Sequence, residues 1–407
     1  MLPFKPHRIL IVGTGSGRDI VASVLIQELF LDKSVEVDIA GFLTPWAIHF
    51  FDEHIEPPII NLNETKSTKF KKVIISENKE VKGFFEPLLV DIFKKFEVRV
   101  NNIYLLSLHY GFVKLFNELV YLVDKNRYDA VLAVDVGGDI LATSEDYQSV
   151  LTPLVDWNCL TLLCKLSKEL ALYLAVVSPG VCGEITLYRL YKIIEQIKNL
   201  GFFVKRVKFN KTHKSYQKFN SVNKEINALT GAYSHTFYII NKVVESCLKS
   251  KFLKMTYKKK YQIKDMSFEA LFERVLDVDL IQSVYFFNIR ELNRIRPHFK
   301  EHYYSNLILA FKKLRQLGVC GTEIDLCAVP ENLNTKKLTY LLTPCCYVSE
   351  KLREEMIYRG VELSVINKKI HKMLLLRSDL DRISFKKVKS FFEFYPCNKH
   401  VIMLLKK

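Results

Sequence analysis

Residues 128–142, with the sequence YDAVLAVDVGGDILA, decide the fold. The segment AVLAV at 130–134 is apolar at every position and too short for a helix, which is typical of a strand buried on both faces of a parallel sheet. Two carboxylates separated by glycines follow it: Asp135, Gly137, Gly138 and Asp139. Ligands of open α/β sheets bind beyond the carboxyl ends of the strands. The pattern therefore predicts a site at the end of this strand.

A second strand, RILIV at 8–12, leads into a glycine-rich loop and a helix at 20–30. Such a loop lets backbone amides approach a phosphate or carboxylate at the helix N-terminus. Asp38, about twenty residues after the glycines, has the position of a Rossmann carboxylate that binds ribose hydroxyls. Asp19 has a second explanation, because an acid in the first helical turn stabilises the helix dipole. The predicted cofactor-binding residues are Gly13, Gly15, Gly17, Asp19, Asp38, Gly137 and Gly138.

The remaining periodicity of the N-terminal half alternates between strands and helices. Strands are predicted at 35–42, 73–75, 103–106 and 172–177, and helices at 111–123, 149–172 and 185–200. Alternation of this kind predicts a doubly wound, Rossmann-like parallel sheet with helices on both faces. We therefore expect an α/β domain at 1–209 that carries the site.

The C-terminal half has a different character. Residues 210–223 are polar and basic and are predicted as a linker or exposed loop. Further predictions are helices at 225–249, 267–275 and 305–317 and a strand at 284–287. These predictions define a basic, helix-rich region at 210–330. Residues 331–407 form a basic C-terminal α/β extension of unknown role, with mixed apolar and basic segments at 338–347, 361–365 and 392–405.

Charge and composition limit the class of protein. The net charge of +16 is the sum of −4 over residues 1–200 and +20 over the remainder, counted from the printed sequence. Lysines and aromatics interleave at 249–260, which fits RNA or another polyanion but also an ordinary solvated face. No uncharged apolar run reaches about 18 residues, so no membrane span is expected. The nine cysteines contain no CxxC pair, which favours free thiols in a reducing cytoplasm.

The carboxylates after the central strand permit two kinds of chemistry. Asp135 and Asp139 could hold Mg²⁺ while the metal binds substrate phosphates, or could act as acid and base if burial separates their pKa values. Glu184, after the strand at 172–177, is a candidate third acid. The competing explanation is that these acids cap turns and helices. The sequence thus predicts Asp135, Asp139 and Glu184 as catalytic, with Asp135 and Asp139 as metal ligands.

Several of these motifs, in their order along the chain, resemble an archaeal and bacterial family called domain of unknown function 1152. They are the glycine loop ending in Asp19, the loop with Trp46, the VDVGGDILA segment and the SPGVCGE segment at 178–184. The resemblance runs from about residue 8 to about residue 327. It implies a Rossmann-like fold and a site at the DxGGD motif, and it names no reaction. Two positions depart from the family pattern: Ala47 and Ile48 follow Trp46 in place of Glu-Arg, and Glu225 lacks the family's neighbouring residues.

These observations predict an enzyme, a transferase or hydrolase that binds a nucleotide or another phosphorylated small molecule. The first alternative is an RNA-associated protein that uses the basic C-terminal half. The second is an S-adenosylmethionine-dependent enzyme, whose loop normally carries an acid two positions before the first glycine, where this chain has Ile11. The substrate, the need for a metal and the oligomeric state are left open.

Overall fold

The computed structural model describes residues 6–15, 18–42, 72–73, 85–106, 111–146, 150, 153–166, 168–230, 234–246, 250–263, 266–294, 338–342, 392–398 and 401–406. The strands are β1 (Arg8–Gly13), β2 (Glu36–Phe42), β3 (Lys72–Val73), β4 (Asn102–Leu106), β5 (Ala130–Val136), β6 (Ala171–Val177), β7 (Phe203–Lys208), β8 (Phe252–Ile263), β9 (Met266–Asp277), β10 (Ser283–Asn288), β11 (Leu338–Leu342), β12 (Phe392–Asn398) and β13 (Val401–Lys406). The helices are α1 (Asp19–Phe30), α2 (Leu89–Lys95), α3 (Gly111–Asn126), α4 (Pro153–Cys164), α5 (Leu187–Asn199), α6 (Lys214–Thr230), α7 (His235–Glu245), α8 (Val278–Ile281) and α9 (Ile289–Arg294).

The main sheet has eight strands in the order β3-β4-β2-β1-β5-β6-β10-β7. The first six strands in this order, from β3 to β6, are parallel to one another, and β10 is antiparallel to both β6 and β7. The chain moves outward in one direction from β1 to β2 and β4, and in the other direction from β5 to β6. The order therefore reverses between β1 and β5. In doubly wound sheets this switch point opens the crevice that binds ligands.

Two hydrophobic cores lie on the two faces of the sheet. Along β1, Ile9 and Ile11 belong to one core, and Leu10 and Val12 belong to the other, because side chains alternate between the faces of a strand. Helices α1, α2, α6 and α7 cover the first face, and α3, α4 and α5 cover the second. The predicted α/β class, a mostly parallel sheet with helices on both faces, is confirmed.

The predicted loop at 210–223 is wrong. Most of it belongs to α6, in which Tyr216, Phe219 and Val222 are fully buried against the α1 side of the sheet. These three apolar residues recur every third position, but lysines and asparagines between them hide the helical pattern. The helix predicted at 225–249 is instead the end of α6 followed by α7.

Two further helix predictions are wrong. Residues 267–275 lie in β9, which forms an antiparallel two-stranded hairpin with β8, so strand pairing overrides the helix-forming composition of that segment. The helix predicted at 149–172 is also too long, because α4 ends at Cys164 and β6 begins at Ala171.

The C-terminal half contributes to the main sheet. Strand β10 lies between β6 and β7, so the predicted boundary at residue 209 falls inside one sheet. Strands β11, β13 and β12 form a separate antiparallel sheet in that order. The predicted segments at 305–317 and 361–365 lie outside the described residues. Among the described helices, none has the length and apolar character needed to cross a bilayer.

Candidate functional site

Unusual backbone conformations cluster where β1, β5 and β6 end. Arg18 after β1 has φ 91°, Gly137 and Gly138 after β5 have φ 129° and 91°, and Ser178 after β6 has φ 50°. Positive φ is costly for residues with a side chain, and such strain tends to occur at functional sites. These three strands are adjacent in the order β1-β5-β6, so the four residues border one crevice.

Asp19 joins the loop after β1 to the end of β5. One oxygen of its carboxylate accepts the Gly15 N–H at 2.9 Å, and the other accepts the Val136 N–H at 3.2 Å. The Thr14 N–H donates to the Val134 carbonyl at 2.9 Å. Two amides of the glycine loop are thus already bonded to acceptors of the protein. Gly17 lies outside the described residues.

Asp156, on the first turn of α4, is a buried carboxylate that the sequence analysis missed. Its Oδ1 accepts a hydrogen bond from the Thr14 hydroxyl at 3.0 Å. A Cβ on Gly15 would lie 2.6 Å from this same Oδ1, so only glycine leaves room for the carboxylate. A Cβ on Gly13 would lie 2.5 Å from the Ile20 nitrogen, so this glycine lets α1 pack closely on β1. A signal was present, because Asp156 is the one charged residue in the mostly apolar segment PLVDWNCLTLLC.

Asp19, Asp135 and Asp156 form a compact cluster. Each offers a carboxylate oxygen, these oxygens lie within 4.8 Å of one another, and all three residues are buried. Burial raises the pKa of Asp19 and of Asp156 well above the usual aspartate range, and the Asp135 carboxylate raises both further. Like charges at this distance resist ionising together. The arrangement suits either a shared proton or a divalent cation with oxygen ligands.

Asp135 and Asp139 lie on either side of the two glycines. Oδ2 of Asp135 accepts the Gly138 N–H at 2.7 Å, so this residue also closes the turn after β5. Asp139 opens a short 3-10 turn and is buried. Burial raises the pKa of Asp139 well above its usual range, and the acidic groups of Glu184 and Cys182 raise it further, as do those of Asp135 and Asp156. Asp139 and Glu184 therefore adjoin the three-carboxylate cluster.

Gly137 has a packing role in addition to its positive φ. A Cβ on Gly137 would lie 2.7 Å from the Cβ of Cys182, so the segment after β6 packs directly on the turn after β5. The Gly180 N–H also donates to the Gly137 carbonyl at 2.6 Å. These contacts hold the ends of β5 and β6 together and bring Glu184 towards Asp139.

Asp38 lies apart from the crevice. It accepts hydrogen bonds from Arg8 at 2.8 Å, Asn102 at 2.7 Å and the Tyr128 hydroxyl at 2.5 Å. In the sheet it lies beside Leu10, which is three residues before β1 ends at Gly13, and β2 continues for four residues beyond Asp38 to Phe42. At about 3.3 Å per residue this places Asp38 at least about 10 Å below the carboxyl ends. The position argues against the predicted contact between Asp38 and ribose hydroxyls.

Arg18 connects the start of α1 to α6 through hydrogen bonds. Its guanidinium donates to the Asn223 and Asn227 side chains, both at 2.6 Å, and lies 5.5 Å from the centre of the Phe85 ring. Burial lowers the pKa of Arg18 to about 10, although nearby Glu86 acts in the opposite direction. Burial likewise raises the pKa of Glu86 to about 8. No motif in the sequence predicted this cluster.

Two further residues belong to the family comparison. Glu225 lies on α6 and accepts a hydrogen bond from Lys95 at 2.7 Å. Trp46 lies outside the described residues.

The fold and the crevice define an α/β protein with a doubly wound sheet and an acidic site at its switch point. Within that class, the chain belongs to the family described as "Protein of unknown function (DUF1152)", whose model matches residues 10–233. The matched range includes Asp19, Asp135 and Asp156, and it ends before the β8–β9 hairpin. No curated protein matches this chain.

Proposed function

We propose that this protein is a Mg²⁺-dependent transferase or hydrolase that acts on a nucleotide or another phosphorylated small molecule. Asp19, Asp135 and Asp156 would hold the cation, and the cation would supply charge that binds the phosphate. The observation that carries the proposal is the cluster itself: three buried carboxylates with oxygens within 4.8 Å of one another at the switch point.

A cation resolves the electrostatic conflict in this cluster. Buried ionised carboxylates are costly unless they are neutralised by protonation, pairing or a metal. Mg²⁺ takes oxygen ligands such as carboxylates, keeps several waters and accepts substrate phosphates as further ligands. It therefore suits a small acidic cluster that opens on a crevice.

The same charge explains how an acidic crevice accepts a phosphate. The carboxylates would repel a bare phosphate, and the Gly15 N–H is already bonded to Asp19. A divalent cation would offset two of these negative charges and would offer the phosphate a direct ligand position that does not need the loop amides. Phosphoryl transfer depends mainly on such positioning and charge stabilisation.

Asp139 is the candidate general acid. Burial and the neighbouring acids raise the pKa of Asp139 well above the usual aspartate range, which favours its protonated form. A protonated carboxyl beside a bound phosphate can donate that proton to a leaving oxygen. Glu184 supports this role, because its charge is among the largest influences on the pKa of Asp139.

The first experiment compares thermal unfolding with and without Mg²⁺ for the wild type, Asp156→Asn and Asp38→Asn. Mg²⁺ at about 100 times its dissociation constant should stabilise the wild type by about 2.7 kcal/mol. Asp156→Asn should unfold at a higher temperature than the wild type in EDTA, because one like charge is gone, and should lose the response to Mg²⁺. Asp38→Asn should be less stable, because its contact with Arg8 is weakened, but should keep the response.

A screen of nucleotides, sugar phosphates and S-adenosylmethionine, each with and without Mg²⁺, then identifies the ligand class. Phosphorylated ligands should stabilise the wild type only when Mg²⁺ is present. A wild type indifferent to Mg²⁺, or an Asp156→Asn variant that responds as the wild type does, contradicts the proposal. Stabilisation by S-adenosylmethionine without metal would favour the methyl-transfer alternative.

We also propose a cytoplasmic location. Within the described residues, Cys159, Cys164 and Cys182 form no disulfide bond, as a reducing compartment allows.

A further inference from the structure

An aromatic surface with lysines lies on α5 and the start of β8. Tyr188, Tyr191 and Phe252 are exposed by 66%, 38% and 47%, which is unusual for three large side chains that adjoin one another. Lys192 and Lys251 lie over these rings. We call these five residues the aromatic–lysine surface. The buried side of α5, with Leu190, Ile193, Ile194 and Ile197, faces the core, so the surface is the outer side of the helix.

Cation–π contacts and helix spacing connect the five residues into one surface. Tyr188 and Tyr191 are one turn apart on α5, and the Lys192 ammonium lies 4.6 Å from the Tyr188 ring centre. The Lys251 ammonium lies 6.0 Å from the ring centre of Tyr191 and 5.2 Å from that of Phe252. Each lysine therefore contacts an aromatic face at cation–π distance.

The surroundings of this surface are predominantly basic. Lys254 is exposed on β8, and the basic run at 249–260 begins here. The nearby acids are largely engaged: Asp277 is buried and accepts from the Tyr191 hydroxyl, and Asp279 pairs with Arg206 and Lys208. Glu195, one turn beyond Tyr191, is exposed.

We infer that the aromatic–lysine surface binds single-stranded nucleic acid, with bases on the exposed tyrosine and phenylalanine rings and phosphates beside the lysines. Unpaired bases stack on aromatic side chains irrespective of sequence, and lysines next to the rings neutralise the backbone. The combination distinguishes this surface from a protein interface, whose core is depleted of lysine. The site is separate from the carboxylate cluster, so it goes beyond the proposed function.

The test measures binding of fluorescent ten-nucleotide oligouridylate and oligothymidylate by anisotropy, at several salt concentrations and in EDTA. The wild type should bind both, and Tyr188→Ala should weaken binding by at least about fivefold, the loss expected for one stacked base. Lys192→Gln combined with Lys251→Gln should make the log–log salt slope shallower by about 1.4, or about 0.7 per lysine. Asp135→Asn should bind as the wild type does, which separates this inference from the metal site.

Two matched controls use the same local pattern elsewhere. Tyr121 with Lys125 on α3 and Tyr238 with Lys242 on α7 are also exposed tyrosines with a lysine one turn later, at 5.3 and 5.5 Å. Tyr121→Ala and Tyr238→Ala should leave binding unchanged. Equal losses in these controls, or a wild type that does not bind at low salt, overturn the inference. A surface that instead joins two copies of the chain also overturns it, and light scattering would then show a dimer that Tyr188→Ala disrupts. Binding of one oligonucleotide but not the other contradicts the expected stacking irrespective of sequence, and oligodeoxyuridylate then separates the effect of the sugar from that of the thymine methyl group.

Discussion

At the scale of single residues, the crevice is unusual because several of its acids are buried close to one another. Asp19, Asp139 and Asp156 all have a raised pKa, with burial as the largest cause and neighbouring acids next. Such an arrangement lowers the stability of the metal-free protein. A ligand that neutralises the charge recovers that stability, so the same residues that would bind a cation also make folding sensitive to it.

Glu86 gives a pH dependence that can be measured. The folded protein holds its proton up to about pH 8, whereas an unfolded chain releases it near 4.5. Folding therefore takes up a proton between these values, and the free energy of unfolding should fall as the pH rises through that window. The decrease has an upper limit of about 1.4 kcal/mol per pH unit for one group. Urea unfolding in EDTA at several pH values between 5 and 8 measures it.

The raised pKa values in the carboxylate cluster should likewise make the free energy of unfolding fall as the pH rises. Glu86→Gln should make the decrease shallower, and Mg²⁺ should reduce what remains. Glu195→Gln, at an exposed position on α5, is the matched control and should leave the slope unchanged. A slope that Glu86→Gln does not alter would show that Glu86 is ionised in the folded protein throughout this range.

Part of the candidate site follows from local sequence and part does not. The sequence around Asp135 and Asp139 predicts where a central strand ends, because glycines and carboxylates directly follow a run of apolar residues. Asp156 could not be assigned in this way, because it lies on a helix whose first turn reaches the β1 loop only in the folded chain. The spacing of Asp38 from the glycines also predicted a ribose-binding carboxylate. In the structure Asp38 instead bonds to Arg8 and Tyr128, which are distant in sequence and could not be paired with it from local patterns.

At the scale of elements, helix α6 was not predicted from the sequence, although its side chains contact a residue that borders the crevice. Its buried face packs on the α1 side of the sheet, and its asparagines accept from Arg18 at the start of α1. Composition predicted an exposed loop, because polar residues outnumber the apolar ones in this segment. Elements whose apolar pattern is continuous, such as β1, β5 and α1, were predicted within a residue or two. Elements stabilised by distant pairing, such as β9, were not.

Removing one of these asparagines should loosen α6. Asn223→Ala deletes an acceptor of the buried Arg18 guanidinium, and loss of a buried partner typically costs about 1–3 kcal/mol. Urea unfolding should show a decrease of this size, and hydrogen exchange should show faster exchange in α6. Asn199→Ala, at the exposed last position of α5, is the control and should change stability by less than about 0.5 kcal/mol. A variant as stable as the wild type would mean that these hydrogen bonds do not hold α6 in place.

At the scale of the whole molecule, the family match and the folding unit have different limits. The family model ends at residue 233, but β10 at Ser283–Asn288 separates β6 from β7 in the main sheet. Phe286 and Phe287 of β10 are buried on opposite faces, one in each hydrophobic core. A fragment that stops at residue 233 therefore lacks an internal strand and part of both cores.

We expect the fragment 1–233 not to fold cooperatively, whereas 1–294 contains every described strand of the main sheet and should fold. The reason is that without β10 the strands β6 and β7 expose unpaired edges and the apolar faces that Phe286 and Phe287 cover. Circular dichroism and thermal unfolding of the two fragments test this expectation. The stabilisation of 1–294 by Mg²⁺ should equal that of the full chain, because the described crevice lies within residues 1–294. Cooperative unfolding of 1–233 near the melting temperature of the full chain would contradict this expectation. It would show that the family region folds by itself and does not need β10.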